Sequence, residues 1–490
     1  MSSYLAIDFG AESGRVMRGS LENGRIALQE MHRFPNGPVR VLDTMHWDVL
    51  RLFAEVKNGL RACASTREAP RSLGVDTWGV DFALLGRGHT LLGNPVHYRD
   101  PRTDGMPDEV FRTVPRREVF ERTGIQIMQI NTLYQLAAMK KAGSPILEAA
   151  ERLLMMGDLF HFFLTGESVA ELTNASTSQM CDPRTRSWSR PLLDKLGLPT
   201  RILPPIVAPG TRIGPLLQQV REETGLPAVD VVAPGTHDTA SAVAAVPVEP
   251  GARFAYLSSG TWSLIGVESP EPVIDEASYT NNFTNEIGVG CIRLLKNVMG
   301  LWLVQESCRS WAAGGQQTPY DQVAPLALKA PAFRSLVNPD DARFLKPGEM
   351  PAKIQAYCRE TGQPVPEGRE AILRCILESL ALKYRWVITK LESMRRETVD
   401  ALHIVGGGSK NDLLNQFAAD ALGRPVVAGP VEATALGNIL MQAVACGDVA
   451  SLADARRIVR DSSDMKRFAP KDRAPWDEAY GRFAPRFEQA

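Results

Sequence analysis

The first 33 residues alternate between apolar and polar positions with the period of strands, broken by turns. Tyr4 to Phe9 reads as a short strand, Gly10 to Gly14 as a turn of small and polar residues, and Arg15 to Ser20 as a second strand. Asn23-Gly24 is a hairpin signal, and Arg25 to Arg33 makes a third strand. The period changes at Asp48. From there Val49, Leu52, Phe53, Val56 and Leu60 share one face of a helix, with Asp48 near its start. Strands around Leu73 to Asp76 and Val80 to Leu85 follow. Hairpin strands first and helices later predict a mixed α/β domain rather than a purely parallel one.

The pattern from Glu109 to Gly225 is mostly helical, punctuated by Pro199, Pro204-Pro205 and Pro209. A strand at Val229 to Val232 runs into the loop Ala233-Pro234-Gly235-Thr236-His237-Asp238-Thr239, and a helix of small residues continues from Ala240 to Val246. Pro247, Pro250 and Gly251 then mark a boundary. The expected domains are 1–246 and 247–490, with the last ~25 residues free to pack back on the first. The second half starts like the first. Phe254 to Leu257 is a strand, Ser258-Ser259-Gly260-Thr261 a turn and Trp262 to Val267 a second strand, so an ancient structural duplication is expected despite little residue identity. A long amphipathic helix runs through Leu373, Ile376, Leu380, Tyr384, Val387 and Leu391. Strand Ala401 to Val405, the run Gly406-Gly407-Gly408 and a helix from Asn411 follow it.

Composition narrows the function classes. The 490 residues suit two to four domains, and 44% hydrophobic against 23% charged residues is ordinary for a soluble globular protein. Lys+Arg (55) nearly cancels Asp+Glu (56), so the strongly basic footprint of a dedicated nucleic-acid binder is missing. Apolar stretches such as Leu436 to Cys446 fall short of the roughly 18 residues of a membrane span. Met1 to Asp8 lacks the charged and apolar regions of a signal peptide. Seven cysteines, odd in number and dilute, do not form a disulfide framework. Cys358 and Cys375 can pair across a loop, but under cytosolic redox conditions two free thiols are expected. The expectation is a cytoplasmic enzyme, a monomer or weak homodimer, with no nucleic-acid or membrane partner.

Three loops and one dipeptide carry candidate chemistry. In Asp8-Phe9-Gly10-Ala11-Glu12-Ser13-Gly14-Arg15, small residues between two strands let backbone N–H groups approach a phosphate. Asp8, at the end of the first strand, can hold hydrated Mg²⁺, which favours oxygen ligands. A tight hairpin with a turn Asp explains the same residues. Glu12 would repel a phosphate and is expected to point away or to act through the metal. Ser258 to Thr261 offers the same hydroxyls and amides, or an ordinary β-turn, and Gly406 to Gly408 is a third place where a nucleotide can approach the backbone. Neither a dinucleotide fingerprint nor a P-loop motif occurs. His237-Asp238 lies in a loop after a strand, where α/β folds place functional groups. Asp238 suits a general base, worth roughly 10²–10⁴ in rate, or it caps the following helix. Trp78, within Asp76-Thr77-Trp78-Gly79-Val80-Asp81, either stacks on a ligand or fills the core. Asn297 and Gln305 flank a helical run and can reach a cleft. Arg116-Arg117 and Arg395-Arg396 read as solvated faces.

Taken in order, these segments resemble the sugar kinases of the FGGY family over nearly the whole chain. The resemblance rests on Asp8 to Arg15, Val75 to Leu84, Asn131 to Leu136, Thr236 to Val243, Tyr256 to Leu264, Leu295 to Trp302, His403 to Gly408 and Ala428 to Ala433. It implies an α/β fold of two actin-like, ribonuclease-H-like ATPase domains with a catalytic cleft between them, and ATP-dependent phosphorylation of a ketose hydroxyl. By the same resemblance Asp238 is the base, and Gly79, His237, Thr239 and Asn297 contact the sugar. Ala11, Glu12, Ser13, Gly14, Arg15, Thr261, Gln305, Gly407 and Gly408 bind ATP, and Asp8 helps to hold Mg²⁺. Most of the family carries Thr after the glycine of the first phosphate turn. This chain has Ala11-Glu12-Ser13 instead, which leaves the role of Glu12 open. The rival from a different class is a non-catalytic actin-like protein that binds ATP or senses a sugar.

Overall fold

A computed structural model describes residues 2–65 and 69–488. The chain falls into two compact units. The first comprises Met1–Pro250, Glu268–Leu294 and Ala433–Ser463; the second comprises Gly251–Val267, Leu295–Glu432 and Asp464–Ala490. No helix among the described residues is long and apolar enough to cross a membrane.

The first unit is organised on a six-stranded sheet. Its strands are β1 (Ser2–Phe9), β2 (Ser13–Glu22), β3 (Arg25–Pro35), β4 (Ser72–Thr77), β5 (Thr211–Pro215) and β6 (Asp230–Ala233), in the order β5-β6-β4-β1-β2-β3. The β2–β3 turn uses Asn23 and Gly24 at φ 51° and 72°, the left-handed conformation that two-residue hairpins need. β1 is buried along nearly its whole length and pairs antiparallel with β2 and parallel with β4. The predicted helix spans Val49–Ala64, capped by Asp48, whose side chain accepts the Arg51 N–H.

Two expectations need correction. The strand at Val80 to Leu85 begins only at Phe82, because Val80 adopts φ 66° and breaks the pleat. The region 109–225 also carries short strands among its helices, including Arg152–Met155, Ala170–Glu171 and Ile206–Val207. They are too short to print a period-2 pattern on the sequence.

The second sheet has seven strands: β7 (Phe254–Ser259), β8 (Trp262–Ser269), β9 (Thr284–Ile287), β10 (Ile292–Met299), β11 (Ala401–Val405), β12 (Val426–Ala428) and β13 (Lys466–Phe468). Their order is β9-β10-β8-β7-β11-β12-β13, and the boundary between the units falls within β8 and β10. The two sheets repeat one plan. In each, an antiparallel hairpin (β1–β2, β7–β8) is followed by two parallel neighbours (β4 and β6, β11 and β12) and an antiparallel edge strand (β5, β13). The long predicted helix is Gly368–Arg395, with Leu373, Ile376, Leu380, Tyr384, Val387 and Leu391 all buried. Residues 464–490 belong to the second unit, where Lys390 pairs with Glu488 at 2.8 Å and Asn338 donates to the Arg486 carbonyl.

Candidate active site

The site in the first unit is assembled at the ends of β1, β4 and β6. The parallel register puts Asp8 and Asp76 side by side on one face. Both are buried; Asp8 pairs with Arg15 at 2.5 Å, and Asp76 Oδ2 accepts from Asn438 Nδ2 at 2.6 Å. Burial, and then the neighbouring Asp8, hold the Asp76 carboxyl well above the ordinary value, against the Asn438 bond, with Asp238 adding to the rise. Asn438 and Gln442 lie one turn apart on the helix Ala433–Ala445. Gln442 donates to Asn438 Oδ1 and to the Leu5 carbonyl, tying the helix to the sheet. Asp76 and Asn438 were not candidates in the sequence reading. Asp76 stood inside a quoted motif, but only its register beside Asp8 reveals its place.

In the turn after β1, the Gly10 N–H donates to the Ser13 carbonyl and Asn36 donates to the carbonyls of Gly10 and Glu12. The Glu12 side chain is exposed, whereas Ala11 and Ser13 are half-buried. Gly14 also has a packing reason to lack a side chain, since a Cβ there would sit 2.2 Å from the Phe34 ring.

His237 and Asp238 open the helix Asp238–Ala244 directly after β6. A buried carboxylate holds their loop. Glu171 accepts N–H bonds from Thr173, Asn174 and Thr236 at 3.0–3.2 Å, and Thr173 Oγ1 in turn accepts the His237 N–H at 3.1 Å. The Thr236 carbonyl accepts the Thr77 N–H of β4 at 2.9 Å. Asp238 does not cap the helix; His237 occupies the cap position. Asp238 Oδ1 accepts from the backbone and hydroxyl of Thr239 at 2.5 and 3.1 Å and lies 3.4 Å from His237 Nε2. Its Oδ2 has no hydrogen-bond partner among the described residues, and the side chain is 29% exposed. Burial raises the Asp238 carboxyl above its ordinary value, with His237 working against the rise and Asp8 adding to it. A carboxylate with one oxygen anchored, one oxygen open and a raised proton affinity has the form of a general base.

Gly79 lies at a half-buried turn where a Cβ would meet Thr177 Oγ1 at 2.8 Å. Trp78 beside it is core. Its ring lies 4.1 Å from that of Trp47, and both indole N–H groups converge on Asp81 Oδ2 at 3.1 and 2.6 Å. Gln135 donates to Asp81 Oδ1 at 3.0 Å and to the Val80 carbonyl, so the turn that carries Gly79 rests on a satisfied polar cluster. Asp81 closes the run Asp76-Thr77-Trp78-Gly79-Val80-Asp81, and nothing in the sequence pattern singles it out.

In the second unit, the parallel pairing of β7 and β11 brings the loop 406–408 against Ser259. A Cβ on Gly408 would lie 2.0 Å from Ser259 Oγ, while one on Gly407 would meet nothing within 4 Å. The Thr261 carbonyl accepts N–H bonds from Gly300 and Trp302, which joins the β7–β8 turn to the start of the helix Trp302–Ala313. Gln305 lies one turn into that helix, and its Oε1 is buried with no partner among the described residues. Three of the predicted nucleotide elements are thus brought together: Thr261, Gln305 and the glycine loop. Asn297 is half-buried on β10. Cys358 and Cys375 are free thiols.

Residues 3–245 match the N-terminal domain and residues 255–446 the C-terminal domain of the FGGY family of carbohydrate kinases. The chain is 46% identical over 482 residues to a rhamnulokinase of Bacteroides thetaiotaomicron, covering 98% of each chain. It is 39% identical to a rhamnulokinase of Bacillus subtilis, covering 96% of each. In fold it is similar to a ligand-bound xylulose kinase of Lactobacillus acidophilus, with a TM-score of 0.81 at 16% identity over 99% of this chain and 97% of that one. A gluconate kinase of the same organism gives 0.80 at 17% identity over the same shares. With both family domains matched in order along one chain, and the duplicated α/β plan shared with sugar kinases of solved structure, the chain belongs to the FGGY family of carbohydrate kinases.

Proposed function

We propose that this kinase transfers the γ-phosphoryl group of ATP to the 1-hydroxyl of L-rhamnulose, giving L-rhamnulose 1-phosphate and ADP in rhamnose breakdown. The observation that carries this substrate is the 39–46% identity to proteins named rhamnulokinase, over 95% or more of the chain. The geometry around Asp238 supports the chemistry.

In this reading Asp238 Oδ2 takes the proton of the attacking hydroxyl while Oδ1 stays anchored on Thr239. Gly79, His237, Thr239 and Asn297 contact the sugar. Ala11 to Arg15, Thr261, Gln305, Gly407 and Gly408 bind ATP: the small residues admit the phosphates to backbone N–H groups, and Gln305 gives its buried carbonyl oxygen a partner in the nucleotide. The first 246 residues bear chiefly on the sugar, and residues 247–490 chiefly on the nucleotide. Phosphoryl transfer asks the protein mainly for position and charge stabilisation, and a single anchored base meets the remaining need.

The donor set at Asp8 suits Mg²⁺, which takes oxygen ligands and is commonly held by one or two carboxylates together with waters and substrate phosphates. No cluster of three or more His, Cys, Asp or Glu side chains fit to cage a metal occurs among the described residues. When bound, the ion supplies charge neutralisation on the phosphates. Asp8 would hold it, with Asp76 alongside.

The test is coupled ADP release with ATP·Mg²⁺ against L-rhamnulose, L-fuculose, D-xylulose and L-ribulose. A kcat/KM for rhamnulose at least about tenfold above the others is expected, a difference of about 1.4 kcal/mol. Preference for another ketose overturns the substrate but keeps the base, and no turnover with any sugar overturns both.

A further inference from the structure

Behind His237 lies a charged group that the reaction as described does not use. Arg293 is fully buried, and so is most of Glu286, on neighbouring strands of the second sheet. Arg293 Nη2 lies 2.8 Å from Glu286 Oε2 and 2.9 Å from His237 Nδ1, while Glu286 Oε2 is 3.3 Å from the same Nδ1. On the other side of the ring, Nε2 faces Asp238 Oδ1 at 3.4 Å. A buried ion pair is costly to desolvate, so its position against one ring nitrogen calls for a reason.

The chemistry of the donors fixes the ring. A guanidinium donates only, and two N–H groups cannot face each other at 2.9 Å. His237 Nδ1 must therefore offer its lone pair to Arg293, which leaves the single proton on Nε2. Glu286 by itself would demand the opposite, because its oxygen within 3.3 Å of Nδ1 would favour an Nδ1–H. Arg293 resolves the conflict by occupying Glu286 and donating to the ring. We infer that Arg293, held by Glu286, is a positioning residue that locks His237 as the Nε2–H tautomer and so sorts donor from acceptor in the His237-Asp238 pair. His237 then presents only a proton, suited to a carbonyl or hydroxyl oxygen of the sugar beside the reacting hydroxyl. Asp238 is the one group of the pair able to accept the hydroxyl proton. This rests on the proposed role of Asp238 as base, but the state of the ring can be read without any substrate.

The experiment is ¹⁵N NMR of the seven histidine rings in the full-length protein, with His237 assigned by loss of its signals in His237→Gln. The wild-type ring should have a bare, downfield Nδ1 and an N–H-type Nε2. In Arg293→Met, Glu286 should capture the ring and the proton should move to Nδ1, with kcat for the sugar falling about a hundredfold. The double variant Arg293→Met/Glu286→Leu replaces both charges by apolar groups, which buried pairs commonly tolerate. It should regain the Nε2–H form and at least tenfold of the lost kcat. A merely structural role predicts that the double variant is no better than the single one. An Nδ1–H in the wild-type ring overturns the inference even if Arg293→Met fails to fold, and so does a double variant as slow as the single. Absence of sugar turnover by the wild-type enzyme would count against the proposed function alone, since the ring spectrum is recorded without sugar.

Discussion

The strand–turn–strand that opens each half of the chain has the same pairing and opposite chemistry. β1 ends in Asp8, and its parallel neighbour β4 sets Asp76 beside it. β7 ends in Ser258-Ser259, and its parallel neighbour β11 runs into Gly406-Gly407-Gly408. The first hairpin thus meets a second carboxylate. The second meets a loop with almost no side chains, packed so tightly on Ser259 that Gly408 has no room for a Cβ. The hairpin is scaffold. What its parallel neighbour delivers to the same end of the sheet is what differs: a second carboxylate in the first unit, a run of glycines in the second.

The comparison breaks hardest at Asp238. Asp238→Asn should lower kcat at least about a hundredfold while circular dichroism and ATP binding stay near normal, because the amide oxygen can still accept both bonds from Thr239 while the amide takes up no proton. The acid limb of wild-type kcat/KM should lie above the ordinary carboxylate value of 3.8, since burial raises this group and only its deprotonated form is active. A fully active variant would remove the base from the first region.

Next is the support of the carboxylate pair. Asn438→Leu removes the donor to Asp76 Oδ2 and should destabilise the protein by about 2–3 kcal/mol in urea titration. A change below about 0.5 kcal/mol would mean that Asp76 does not depend on that bond. In the second region the two glycines should separate. Gly408→Ala meets Ser259 Oγ, Cβ and backbone O and should cost about 1–3 kcal/mol. Gly407→Ala meets nothing and should leave stability within about 0.5 kcal/mol while raising KM for ATP. Equal stability losses would contradict the packing.

The dependence of stability on pH sharpens the first region alone. His161 is fully buried with neither ring nitrogen bonded among the described residues, and burial lowers it to about 3. Its side chain faces Asp158 at 4.0 Å. The unfolded chain takes up this proton near the ordinary value of 6.5 and the folded chain does not, so stability is lost as pH falls from there towards 3. His161→Leu should escape that loss, its advantage over wild type growing by up to about 1.4 kcal/mol per pH unit below about pH 6.5. A pH-independent difference would show that the ring is protonated in place.

Local periodicity and turn chemistry carried most of the architecture. β1 to β3 rest on alternation and on Asn23-Gly24, the helix at Val49–Ala64 on one apolar face and an Asp48 cap, and the repeat of the opening hairpin on the matching small-residue turns. Those signals span a few residues, so neighbours in sequence suffice to read them. They fail where strands of two to four residues are woven into the helices of 109–225, and where Val80 leaves the pleat.

The chemically pointed dipeptide His237-Asp238 and the three small-residue loops were likewise visible in the chain, because each is contiguous. What surrounds them was not. Asp76 stands beside Asp8 only through the parallel register, Asn438 reaches Asp76 from 362 positions away, and Arg293 meets His237 across 56. Sequence by itself determined most of the elements, the family resemblance and the contiguous dipeptide that holds the candidate base. Tertiary structure decided which oxygen of that residue is open and which nitrogen of its neighbour carries a hydrogen. Protonation and tautomer are set by burial and by charges within a few ångströms, and those distances exist only once the chain has folded.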